Sequence, residues 1–386
     1  MSISIEEIKK QIKEYRKSQS FICEIKTTTA CNMKCTYCYQ KEKNNSVIDP
    51  EMVESLFDEL AVYYDGPLVC CFHGGEPLLA LDVIKTVIER QEQKAYFNRI
   101  VYTIQSNGTL LTKEILEYFS EKNVSLGLSI DADTDTGNAC RRLHSGNSIE
   151  GIINSIIPEI LKKMRGLSTT CVVTSNNISE LENYIVWCYE SGVDTVSLNF
   201  LRMSQEENSD KNLIPGIDEY IEVTKNLINK LIELNSKGEK KIYIYEISNL
   251  VNKILNPYYD SFICNSPCEA GKRIICLNTD GRIDRCDCMG DHPLNTMGYY
   301  KKGNLAEILE LGKNDDFAVN KENIRECREC EIEKYCPNGC ASCNYIYYGK
   351  KDIDHPGMMC KWYKEIIPYL IELIDSDINL ELLACE

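Results

Sequence analysis

Histidine is scarce in this chain. His73, His144, His292 and His355 are the only four, which disfavours zinc sites of mixed cysteine and histidine. Positive charge is short too: a formal net charge of −16 argues against a nucleic-acid groove, which needs clustered Lys and Arg. No apolar run approaches the ~18 residues of a membrane span, and the polar, charged residues 1–20 do not read as a secretory signal. A cytoplasmic setting is therefore expected, with neither membrane nor nucleic acid as partner. Apolar content is an ordinary 43%, enough for a sizeable core. A length of 386 residues predicts two domains, or one large domain with an extension.

Cysteine is abundant instead, with 21 in the chain. Without an export signal these are not a disulfide framework, because the cytosol keeps thiols reduced. They are left as metal ligands, catalytic thiols or small core hydrophobes. Three stand in the run Cys31-Asn-Met-Lys-Cys35-Thr-Tyr-Cys38-Tyr39. The spacing C-x3-C-x2-C puts three thiolates on one short loop. A cubane iron–sulfur cluster normally takes four cysteines, so three leave one iron open for another ligand.

The order of elements is regular. After an amphipathic helix in residues 1–20, strands at Ile22–Lys26, Leu68–Phe72, Arg99–Gln105, Val124–Ile130, Thr169–Thr174 and Thr195–Leu201 alternate with helical patterns. Asp49-Pro50-Glu51 opens the first of those helices with a capping residue followed by proline. Helical patterns follow near Leu81–Gln91, Thr112–Lys122, Ile149–Met164, Ser179–Tyr189 and Pro215–Leu234. Six β-then-α units predict an α/β fold with a parallel sheet, an open partial (β/α)6 TIM barrel. Ligands of such a barrel sit at the carboxyl ends of its strands. The segments Cys31–Cys38, Gly74–Pro77, Ser106–Asn107 and Ser129–Asp131 all follow strands and so share that face. From about Tyr258 the alternation stops and cysteine density rises. The expected organisation is an N-terminal helix (1–20), a barrel (21–257), a cysteine-rich domain (258–365) and a C-terminal helix and tail (366–386).

The run Phe72-His73-Gly74-Gly75-Glu76-Pro77-Leu78-Leu79 follows the second strand. Paired glycines admit close backbone approach, and the adjoining carboxylate can take an ammonium group. Read alone, it is equally a tight strand-to-helix turn. Together with the three-cysteine loop it resembles the Gly-Gly-Glu-Pro motif of the radical S-adenosylmethionine (SAM) superfamily. The resemblance implies a 4Fe–4S cluster on Cys31, Cys35 and Cys38, with SAM chelated at the open iron. It further implies SAM contacts from Gly74, Gly75, Glu76, Pro77, Ser106, Asn107, Ser129 and Arg141. Relatives often carry His-Asp four residues before that arginine, where this chain has Gly137-Asn138, so Arg142 stands as the alternative.

The C-terminal third carries a second cysteine code: Cys268, Gly281-x4-Cys286, Cys327-x2-Cys330-x5-Cys336-x3-Cys340, then Cys360. It resembles the seven-cysteine pattern of SPASM domains, with Cys264 matching an eighth ligand of fully ligated members. The resemblance implies two auxiliary 4Fe–4S clusters, one on Cys264, Cys268, Cys286 and Cys340, the other on Cys327, Cys330, Cys336 and Cys360. That makes three 4Fe–4S clusters and SAM as cofactors. Structural zinc is the competing reading of C-x2-C-x5-C. Cys276, Cys288 and Cys343 lie close enough to be mistaken for ligands. Cys23, Cys70, Cys71, Cys140, Cys171, Cys188 and Cys385 read as core hydrophobes.

Members of this group mostly modify peptides or proteins, and a low-potential flavodoxin or ferredoxin is the implied electron donor. The leading expectation is a maturase that installs a thioether, a carbon–carbon crosslink or a related change in a ribosomally made peptide. The form His73-Gly-Gly-Glu-Pro-Leu-Leu resembles that subgroup. The alternative is an anaerobic sulfatase-maturating enzyme, which oxidises Cys or Ser to formylglycine. Asp287, directly after Cys286, is the matching catalytic base. Against that alternative, those enzymes have Gln where His73 stands and an aromatic residue at the place of Gln40. A non-catalytic electron-transfer protein is the third possibility, and the Gly-Gly-Glu-Pro run argues against it.

Overall fold

The computed structural model describes residues 19–40, 44–201, 211–238, 240–256, 259, 268–290, 292–313, 321–348, 356–376 and 378–385. The N-terminal helix expected within 1–20, apart from its last two residues, and Cys264 lie outside them. Strands β1 (Phe21–Thr28), β2 (Leu68–Gly74), β3 (Ile100–Ser106), β4 (Ser125–Ser129), β5 (Ser168–Val173) and β6 (Thr195–Phe200) pair side by side in chain order, all parallel. Parallel neighbours need crossover connections, which helices α1 (Pro50–Tyr63), α2 (Leu81–Gln91), α3 (Lys113–Glu121), α4 (Glu150–Lys163) and α5 (Leu181–Ser191) supply, with α6 (Ile217–Asn235) after β6. Asp49 caps α1 by accepting from the Glu51 backbone N–H at 2.9 Å. The chain then adds a short β7 (Tyr243–Ile244), parallel to β6, and α7 (Tyr245–Leu255).

One face of each strand is apolar and sealed by the helices: Cys23 and Ile25, Cys70 and Phe72, Tyr102 and Ile104, Leu126 and Leu128, Cys171 and Val173, Val196 and Leu198 are all buried. Cys23, Cys70, Cys171 and Cys188 are thus the core hydrophobes their sequence context suggests. The opposite face carries Glu24, Lys26, Cys71, His73, Thr103, Gln105, Ser129, Thr170, Ser197 and Asn199. A parallel strand buried on both faces is normally a continuous apolar run. This face instead mixes those polar side chains with Ile22, Val69 and Val172.

The sheet does not stop at the barrel. Strand β8 (Ile274–Leu277) lies parallel to β1 on the edge opposite β2, with Ile22 facing Ile274 and Ile25 facing Leu277. Strands β9 (Arg282–Asp284) and β10 (Thr296–Tyr299) follow antiparallel, giving one ten-stranded sheet. The change of composition near Tyr258 is therefore not a break in the sheet. A four-residue strand that pairs with a distant partner carries no local signature of that partner. Beyond it lie α8 (Leu305–Lys313), α9 (Arg325–Arg328), α10 (Ala341–Tyr348) and α11 (Cys360–Asp375). The boundary drawn at 365 falls inside α11, which starts at Cys360 and packs on α6. Trp362 donates from Nε1 to Thr224 Oγ1 at 2.9 Å and stacks on Tyr220.

Candidate active site

The three-cysteine loop leaves the carboxyl end of β1 and is held from two sides. On one side the Gly-Gly-Glu-Pro turn ends β2, where Gly75 N donates to Thr28 O and Glu76 N to Ala30 O, each at 2.8 Å. A Cβ on Gly75 would stand 2.0 Å from Ala30 O, and one on Gly74 (φ +130°) 2.5 Å from Thr28 O. The glycines are thus required by the approach of two protein loops, before any ligand is considered. On the other side runs the segment 140–144. Lys34 N donates to Arg142 O, Thr36 N to Cys140 O, and His144 Nε2 lies 2.9 Å from Cys31 O.

Cys31, Cys35 and Cys38 are half-buried and in no disulfide. Burial pushes the Cys35 thiol up to about 11, with Arg141 opposing and Asp131, Cys38 and Cys31 adding to the rise. Metal ligation takes the thiolate and so releases a proton from each ligand. Among the described residues, no three His, Cys, Asp or Glu close on a single point as one metal ion requires. A cubane takes each thiolate on a separate iron and suits a wider spread.

Glu76 is buried and caps the short turn Pro77–Ala80. Its carboxylate accepts from Ser106 Oγ at 2.8 Å, Asn107 N at 2.8 Å and Leu78 N at 3.1 Å. Burial raises its pKa against these three hydrogen bonds. The Asn107 side chain reaches back to Asn32 Oδ1 in the cysteine loop at 2.9 Å, and Ser129 Oγ accepts from Gln105 at 2.9 Å. Of the two arginines, Arg141 is the one turned inward. It donates to Tyr37 OH at 2.7 Å, which donates to buried Asp131 at 2.5 Å. Arg142 pairs outside with Asp135. Asn138, standing where relatives carry an acid–base pair, bonds to the backbone of Asp131, Ala132 and Thr134. That departure is a local turn.

Asp287 comes to the same face from the C-terminal third. It is buried, and its carboxylate accepts from Tyr39 OH, the residue after the third cysteine. His73 Nδ1 lies 3.4 Å away, and Asp287 N donates to Glu24 on β1 at 2.9 Å. Burial, then the Asp287 charge, holds the Tyr39 hydroxyl well above its usual range. Cys71 on the inner face is pushed up to about 12, by burial first and then by Glu24. Glu24, Tyr37 and Tyr39 had no place in the sequence reading. The available signal was Glu24 and Lys26 alternating within an otherwise apolar parallel strand.

The remaining cysteines form two groups. Cys327, Cys330, Cys336 and Cys360 line one cavity together. Cys268, Cys286 and Cys288 pack together in one small cluster, whereas Cys276 is buried on β8 and Cys140 accepts from Asn176 at 3.5 Å.

A parallel barrel thus carries three thiols just past the end of its first strand, faced by a Gly-Gly-Glu-Pro turn. Residues 25–188 match the model of the Radical SAM superfamily, so the chain carries a radical SAM domain. Such a domain implies SAM and a 4Fe–4S cluster. The chain is 26% identical over 360 residues to the cysteine-type anaerobic sulfatase-maturating enzyme of Clostridium perfringens (strain 13 / Type A), covering 89% of this chain and 94% of that one. It is 25% identical over 374 residues to the radical SAM cyclopropyl synthase TigE of Paramaledivibacter caminithermalis, covering 89% and 72%. The solved structure of native anSMEcpe with bound AdoMet and Cp18Cys peptide superposes with a TM-score of 0.79 at 24% identity, covering 93% and 99%. That likeness carries the fold. No described helix is long and apolar enough to cross a membrane.

Proposed function

We propose that the protein oxidises a Cys or Ser side chain of a peptide or protein to formylglycine, in the manner of the anaerobic sulfatase-maturating enzymes. The observation that carries this reading is Asp287, a buried carboxylate held by Tyr39 beside the cysteine loop and facing the polar barrel lining. Similarity along nearly the whole length of such an enzyme supports it. Cys31, Cys35 and Cys38 hold the SAM-cleaving cluster. Gly74, Gly75, Glu76, Pro77, Ser106, Asn107, Ser129 and Arg141 form the SAM site, where an ammonium beside Glu76 would oppose the rise that burial gives its carboxyl. Cys268, Cys286, Cys340 and Cys264 hold one auxiliary cluster, and Cys327, Cys330, Cys336 and Cys360 the other, fed by a flavodoxin or ferredoxin.

When bound, SAM and the clusters supply the radical that takes a hydrogen atom and the acceptor for the electron that remains. The chain supplies the rest. Forming a C=O or C=S bond at the substrate β-carbon removes two electrons and two protons in total. One of each leaves as the hydrogen atom. The second proton goes to Asp287, whose carboxylate is held by Tyr39 and whose backbone N–H is anchored on Glu24. For a cysteine substrate, water then replaces sulfur as hydrogen sulfide.

The test is anaerobic incubation with SAM, a reductant and peptides bearing Cys or Ser, followed by capture of aldehydes with a hydrazide. Captured aldehyde supports the reading. A product that has lost two hydrogens without a reactive carbonyl points to the second reading, crosslink formation in a ribosomally made peptide. His73 in place of the glutamine typical of sulfatase-maturating enzymes favours that second outcome. A protein that makes no 5′-deoxyadenosine at all is an electron carrier.

A further inference from the structure

We propose that Ser342 tunes the auxiliary cluster nearer the barrel, by donating a hydrogen bond from its hydroxyl to the ligating sulfur of Cys286. The inference rests on the assignment of Cys286 to a cluster. Ser342 lies in the first turn of α10 and is buried. Its Oγ is 3.2 Å from Cys286 Sγ, and this is the side chain's one hydrogen bond among the described residues.

Between a serine and a free cysteine either atom can donate. Metal ligation removes that ambiguity, because an iron-bound thiolate has no proton to give. The enclosed hydroxyl has no water to turn to, and leaving it unpaired costs about 1–3 kcal/mol, so its hydrogen points at the sulfur. Hydrogen bonds to the sulfurs, together with net charge and solvent exposure, set the potential of an iron–sulfur centre. A positive hydrogen beside the sulfur stabilises the reduced, more negative cluster and raises its potential.

Cys268 packs against the same small apolar cluster as Cys286. In the other set, a backbone donor from Asn338 reaches Cys336 at 3.4 Å. The consequence for the chemistry is direct. Oxidising a side chain leaves one electron to be taken up near Asp287, one residue from Cys286, and a raised potential there makes the uptake downhill.

The experiment is a redox titration of the reconstituted full-length protein, followed by electron paramagnetic resonance, for wild type, Ser342→Ala and Ser342→Thr, with iron counted in each. Substrate is not required. Ser342→Ala should keep its full iron while one midpoint potential moves to a more negative value and the others hold. Ser342→Thr, which keeps the hydroxyl, should return it to the wild-type value. An unchanged or more positive potential in fully loaded Ser342→Ala overturns the inference, as does loss of about four irons, which would make Ser342 a holding residue. A wild-type protein carrying only about four irons removes the auxiliary cluster itself. That failure belongs to the proposed function and takes this inference with it.

Discussion

Replacing Gly75 by alanine tests the seam between the cysteine loop and the Gly-Gly-Glu-Pro turn. The added methyl would sit 2.0 Å from Ala30 O and 2.6 Å from Ala30 C, where real Cβ atoms keep beyond 3.0 Å. Both atoms are backbone, so no side chain can swing away, and the loops must part by at least about 1 Å. The Gly75–Thr28 and Glu76–Ala30 hydrogen bonds, each 2.8 Å, then stretch past useful length. Two such bonds contribute roughly 1–3 kcal/mol, and the overpacking adds about 1–3 kcal/mol. Against a total stability of ~5–15 kcal/mol, this loosens one seam rather than unfolding the protein. Iron bound at Cys31, Cys35 and Cys38 should drop and 5′-deoxyadenosine formation should fall in proportion, while the C-terminal cysteines keep theirs. Gly151→Ala is the control, since its Cβ meets nothing within 4 Å and it lies in helix α4. A Gly75→Ala protein with wild-type melting temperature, iron content and SAM cleavage would refute the reasoning.

Anaerobically reconstituted protein should carry about twelve irons, and joint replacement of Cys31, Cys35 and Cys38 by Ala should remove about four of them and abolish SAM cleavage; an unchanged iron count rules the loop out as a cluster site. Asp287→Asn should retain all clusters and still form 5′-deoxyadenosine, yet release little modified peptide by mass spectrometry; wild-type yield would leave Asp287 a loop residue. Arg141→Ala should cost about 3–5 kcal/mol in denaturant unfolding, because it strips the cation from buried Asp131, whereas Arg142→Ala should change little. Leu60→Ala, at a fully buried position of α1, should cost ~2–5 kcal/mol, read as a lowered midpoint of chemical unfolding.

The barrel was legible because each β-then-α unit announces itself locally. Leu68–Phe72 is a short apolar run, Asp49-Pro50 a helix start, and the cysteines and glycines fall just past strand ends. Cys327, Cys330, Cys336 and Cys360, which the resemblance grouped, line one cavity. Pairings between distant residues were not legible. Nothing near Ile274 signals that it will lie beside Ile22, and nothing near Glu24 signals that it will hold the backbone of Asp287. Gly74 and Gly75 were expected to make room for a ligand; their tightest neighbours are Thr28 and Ala30. Such contacts depend on which loops the folded barrel brings together, and local propensity carries no information about that.

The pairing of β1 with β8 also bears on how the protein is made. The strand that launches the cysteine loop leaves the ribosome well before one of its two neighbours, which follows roughly 250 residues later. At about 5–20 residues per second, that edge of β1 waits some ten to fifty seconds with its backbone groups unpaired. Unpaired edges invite association with other chains, and thiols on the adjoining loop are open to oxygen throughout. Slow translation between the two strands, or growth in air, should therefore lower the yield of intact protein before any cofactor is delivered.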